Sequence, residues 1–73
     1  MSADNYLYVT THPNGGYGLA MGFDSDEKAP VVNEQSEEFG TLEGAIKAAH
    51  EETSREYYEY GVRINPRLYP RSN

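Results

Sequence analysis

Residues 6–23 read YLYVTTHPNGGYGLAMGF, and this stretch decides the fold. Two runs rich in aromatic and apolar residues, 6–11 and 17–23, flank His12-Pro13-Asn14-Gly15-Gly16, a succession of turn formers, and together they predict a β-hairpin. Pro13 presets φ for the first turn position, Asn14 suits the second, and Gly15 can take the positive φ of a turn closed by a bulge. A loop of Pro13, Asn14 and Gly15 sets Val9 opposite Leu19, Leu7 opposite Met21, Tyr8 opposite Ala20 and Tyr6 opposite Gly22. The competing Asn14-Gly15 turn slips the register by one and splits the aliphatic residues between the two faces. The longer loop is therefore preferred. It gathers Leu7, Val9, Leu19, Met21 and Phe23 on one face and lays Tyr6 and Tyr8 over small residues on the other.

Downstream, residues 24–38 are polar and acidic, broken by Pro30 and relieved only by Val31-Val32, which reads as a loop with the option of a short edge strand at 35–39. Thr41 then suits a helix N-cap, and Leu42, Ala45, Ile46, Ala49, Thr53 and Tyr57 recur at three- and four-residue steps as an apolar stripe. Lys47, Glu51, Arg55 and Glu59 alternate in sign along the opposite side. Gly44 weakens the first turn by about 1 kcal/mol relative to alanine. Gly61 fits a left-handed helix end, Val62-Arg63-Ile64 alternates as a last strand, and Pro66 and Pro70 mark an extended tail.

The expected fold is α+β: an antiparallel hairpin plus a C-terminal strand, with one helix packed on one face, in the order β-β-α-β or, with the optional edge strand, β-β-β-α-β. Residues 1–64 form the single domain and 65–73 the tail. One helix covers one sheet face, so the face carrying Tyr6, Tyr8 and Thr10 is expected to meet water or a partner.

Seventy-three residues allow one thin core, and the absence of cysteine removes both disulfides and thiolate metal sites. The start of the chain has no basic and apolar leader pattern, and no apolar run approaches the ~18 residues of a membrane span, which predicts a cytoplasmic protein without membrane contact. Residues 1–60 hold three basic residues against all twelve acidic ones, a net of −9, and Arg63, Arg67 and Arg71 return +3 to give −6 overall. Such a body repels a phosphate backbone, so direct nucleic-acid binding is not expected. Association with a basic partner would be accelerated instead, although the same charge also serves plain solubility.

Seven tyrosines with no tryptophan point to recognition, because a tyrosine offers a large ring with a hydroxyl that tolerates water. Tyr6 and Tyr8 are the sharpest candidates, and the alternative is that they merely shield Gly18, Ala20 and Gly22. Tyr57, Tyr58 and Tyr60 cannot all face a core. Asp24-Ser25-Asp26-Glu27 lacks the glycine and the later acid of a calcium loop. With residues 34–38 it could display carboxylates at phosphate-like intervals, and a hydrated loop explains the same residues. His12 and His50 stand in no recognisable nucleophile motif, and no glycine-rich phosphate loop precedes a helix, so neither catalysis, a metal nor a cofactor is expected.

The hairpin with HPNGGYGLAMGF, the acidic linker, and FGTLEGAIKAAHEE leading to EYGVRI resemble the short acidic reading frames of bacteriophage genomes, particularly those of actinobacterial phages. The resemblance implies a host-takeover or anti-defence factor and assigns no residue a role. Together these readings predict a small binding protein that engages, and inhibits, a basic nucleic-acid-handling host protein. The expected contacts are Tyr6, Tyr8, Thr10, Asp24, Asp26, Glu27, Glu37 and Glu38. The alternative is a homodimer paired through open sheet faces or edges.

Overall fold

The computed structural model describes residues 4–25, 27–56, 58 and 60–68. The hairpin forms from strands β1 (Asn5–Thr11) and β2 (Tyr17–Phe23), in the register with Leu7 opposite Met21, Val9 opposite Leu19 and Tyr6 opposite Gly22. The connection is the three-residue loop: His12 N–H donates to Gly16 O at 2.7 Å, Gly15 N–H donates to His12 O at 2.9 Å, and Gly15 has φ 113°. A side chain rarely tolerates that φ, which is why glycine stands there.

Helix α1 (Leu42–Arg55) begins at Thr41, whose Oγ1 accepts from Gly44 N–H at 3.0 Å. Strand β3 (Val62–Ile64) pairs with β1 in parallel, Leu7 beside Val62 and Val9 beside Ile64, giving the sheet order β2-β1-β3. A parallel partner requires a crossover, and α1 supplies it. The fold is thus one helix against a three-stranded mixed sheet, an α+β arrangement. The optional strand at 35–39 is reduced to one antiparallel bridge, Phe39 with Tyr17, on the outer side of β2.

Between helix and sheet lie Leu7, Val9, Ala45 and Ala49, bordered by Leu19, Phe39, Leu42, Ile46, Tyr58, Val62 and Ile64. Two alanines at the contact bring the helix axis close to the strands and keep the core thin. The helix does not reach the far end of β2. Met21 and Phe23, expected in the core, keep the predicted face but are 51% and 43% exposed.

The second face is not open. Residues 27–39 fold back across it: Val32 is buried at 3% exposure, a Cβ on Gly18 would lie 2.8 Å from its Cγ1, and one on Gly22 would lie 2.9 Å from the Tyr6 ring and 3.0 Å from Pro30 Cγ. Gly18 and Gly22 leave the shallow track in which this loop lies. Tyr6, at 6%, and Thr10, at 8%, are consequently interior residues, contrary to the expectation that only one face could be covered.

Two further expectations are revised. The helix stops at Arg55, and Gly61, although its φ is 68°, turns the chain into β3: its N–H donates to Tyr58 O at 3.1 Å and its carbonyl accepts from Leu7 N–H at 2.9 Å. Tyr57 and Glu59, placed on helix faces by the periodicity, lie outside the described residues. The start of the tail is also anchored, because Asn65 N–H donates to Val9 O at 2.9 Å and Pro66–Leu68 forms a 3-10 turn. Residues 69–73, with Arg71, lie outside the described residues.

Candidate functional site

The loop of residues 27–39 is the feature that organises the exposed carboxylates, and its shape follows from four attachments. Pro30 and Val32 fill the glycine track on the second face. His12, 3% exposed, holds the loop through Ser36 O, 2.9 Å from its Nε2. Asn14 N–H donates to Nδ1 of the same ring at 3.1 Å, an arrangement in which Nδ1 accepts and Nε2 is the nitrogen that donates to Ser36 O. Glu38 Oε2 accepts from Gly16 N–H at 2.7 Å, and Phe39 exchanges two backbone bonds with Tyr17 at 2.9 and 2.7 Å. Within the loop Asn33 Oδ1 accepts from Gln35 N–H at 2.8 Å, an Asx turn that keeps residues 33–36 compact.

The predicted contact residues separate into three groups on this frame. Tyr6 and Thr10 are interior: the Arg63 guanidinium lies 4.4 Å from the Tyr6 ring centroid, and Thr10 Oγ1 accepts from Asn65 Nδ2 at 3.0 Å. Asp24 and Glu38 are exposed but already engaged, Asp24 by Arg63 at 2.8 Å and Glu38 by the hairpin amide. Glu27 and Glu37 are exposed, as is Glu34 beside them, and none has an ion-pair partner among the described residues. Tyr8 is half-buried, edge-on to Tyr6 with centroids 6.1 Å apart, and burial pushes its hydroxyl titration up, Tyr6 adding to this and Arg67 opposing it. Asp26 lies outside the described residues.

Arg63 ties this surface together. Its guanidinium meets Asp24, lies over Tyr6, and approaches the half-exposed Tyr60 ring to 5.3 Å. Sequence reasoning assigned Arg63 to a strand and missed this role, as it missed the buried attachment of His12. Both depend on partners far along the chain, 39 residues away for Arg63 with Asp24 and 24 for His12 with Ser36. The one local signal was Val31-Val32, the only aliphatic pair in an otherwise polar stretch.

Among the described residues no group of three or more His, Asp or Glu side chains comes together to hold a metal ion, and no helix is long and apolar enough to cross a membrane. No family model, curated protein or solved structure matches the chain.

Proposed function

We propose that the protein is a binding module whose pinned acidic loop engages a basic surface on another protein. The observation that carries this reading is the contrast within residues 27–39: Val32 is buried against the sheet with Pro30 half-buried beside it, while Glu27, Glu34 and Glu37 project without ion-pair partners among the described residues. A fixed display of carboxylates loses little conformational freedom on binding, which favours affinity over what the same charges on a mobile segment would give. Its field speeds encounter with a cationic partner. Following the resemblance to phage accessory proteins, the partner is a nucleic-acid-handling protein of a host cytoplasm, inhibited because the loop occupies its basic surface.

The test is capture from host lysate at low ionic strength, with elution by added NaCl. Replacing Glu27, Glu34 and Glu37 together by glutamine should weaken the complex by about tenfold, three exposed charges at roughly 0.5 kcal/mol each. Failure to capture any protein, or a complex indifferent both to salt and to the triple replacement, would remove the proposal.

A second reading, self-association, is favoured by a specific observation: the outer edge of β2 is unpaired at Leu19 and Met21 among the described residues, beside the exposed side chains of Met21 and Phe23.

A further inference from the structure

Resting on that second reading, we infer that two copies of the chain pair through the outer edges of β2, antiparallel about a two-fold axis at Met21. The result is one six-stranded sheet with a helix of each copy on it.

The backbone sets the edge. Tyr17 exchanges both its N–H and its C=O with Phe39, so its peptide groups point away from β1. Alternation along an antiparallel strand gives Leu19 and Met21 the same outward direction. Such a row recruits another strand unless it is short, charged or covered. Here it carries no charge, since β2 reads YGLAMGF throughout. The acids that flank it are each engaged within their own copy, Asp24 by Arg63 and Glu38 by the Gly16 N–H, so two copies meeting here do not bring two bare carboxylates together. A basic partner finds nothing to grip on this edge. A second neutral, alternating strand fits it, and the other copy supplies one.

Phe39 selects the register. It occupies the edge opposite Tyr17, and pairing centred on Ala20 would bring Phe23 of the second copy to that same place. Pairing centred on Gly22 would leave Leu19 without a strand opposite, because β2 ends at Phe23. Centred on Met21, the second strand stops short of Phe39. Met21 then exchanges both backbone bonds with Met21 of the other copy, and the side chains of Leu19 and Phe23 lie side by side across the axis. The apolar residues that α1 leaves exposed become one continuous strip shared by both copies.

A strand-edge contact falls below the ~800 Å² per partner of a standard interface, so association is weak and depends on concentration. Sedimentation velocity from about 10 µM to about 1 mM should show mass rising from monomer towards dimer. Met21→Lys, at an exposed position, should keep the circular dichroism of the fold and remain monomeric. Met21→Cys provides the chain's single thiol and should oxidise readily to a covalent dimer, because a hydrogen-bonded antiparallel pair holds Cα atoms ~5.5 Å apart, within disulfide reach. Val31→Cys, 85% exposed but off this edge, should cross-link far more slowly. A monomer at every concentration would overturn the inference and the self-association reading together. A dimer that survives Met21→Lys, with Met21→Cys cross-linking no faster than Val31→Cys, would overturn this interface and leave self-association standing. Neither result bears on the acidic loop.

Discussion

A Cβ placed on Gly18 would sit 2.8 Å from Val32 Cγ1 and 3.2 Å from His12 Cδ2, so one missing methyl makes room for the loop that covers the second sheet face. Two effects compete in Gly18→Ala. Alanine reduces the freedom of the unfolded chain, worth about 0.4–1 kcal/mol of stabilisation, while overpacking a buried contact costs roughly 1–3 kcal/mol. Val32 is short and branched and cannot swing away, so the cost wins. Gly18→Ala should lower the urea midpoint by the equivalent of about 1 kcal/mol, and an unchanged or raised midpoint would show that the loop does not press on the sheet there. Tyrosine titration gives a second prediction at this scale. Burial pushes the hydroxyls of Tyr8 and Tyr58 above their ordinary value of 10.0, with Glu52 and Glu56 adding to the effect at Tyr58. The folded state therefore holds these protons more tightly than the unfolded chain. Their contribution is fully present below the ordinary tyrosine range and is lost as pH rises through and beyond it. Stability should fall above about pH 10, and the fall should be shallower in Tyr8→Phe and Tyr58→Phe, as measured by urea melts across that range.

At the scale of elements, α1 depends on its first turn. Thr41 Oγ1 accepts from Gly44 N–H, and Gly44 is itself a poor helix former, so the cap offsets a local weakness. Thr41→Ala should destabilise by about 1 kcal/mol, with the loss seen in both the helical signal and the global transition; a neutral result would mean that packing against Leu7 and Val9 alone fixes the helix start. Hairpin, register, cap and final strand were legible in the sequence because each is written within a few residues: turn formers at 12–16, a threonine before an apolar stripe, alternation at 62–64. The strand order was not, since parallel pairing of β3 with β1 joins residues 55 apart, such as Leu7 and Val62. The helix end was read too far because Tyr57 continues the stripe in period, although the helix ends at Arg55 with Glu56 already extended. The site was half legible. Its carboxylates follow from composition, but the idea of a bare tyrosine face assumed that only regular elements cover a sheet. An irregular loop with one buried valine does so here: the Tyr6 ring lies over Gly22 as the register implies, but Pro30 shares that place and Val32 lies over Gly18.

For the molecule as a whole, charge is the dominant unsatisfied term. The chain carries a net −6, and among the described residues only two ion pairs form, Arg55 with Glu52 and Arg63 with Asp24, both largely solvent-facing. Exposed pairs of this kind contribute about 0–1 kcal/mol each. Like charges ~10 Å apart in water repel by about 0.4 kcal/mol, and a compact body with twelve acidic side chains against six basic ones holds more repelling pairs than attracting ones. Folding draws these charges together, so screening should favour the folded state. Raising NaCl from about 10 mM to about 300 mM shrinks the reach of these interactions from roughly 30 Å to below 10 Å. If that relieves about 1 kcal/mol, the thermal midpoint of a domain this small rises by roughly 4–8 °C. The rise should saturate once the screening length drops beneath the spacing of the carboxylates, and it should be smaller in the variant lacking the charges of Glu27, Glu34 and Glu37. A midpoint that falls steadily with salt would mean that the Arg63 and Arg55 pairs outweigh the repulsion. In that case the acidic loop is already balanced within its own chain and has little field left for a basic partner.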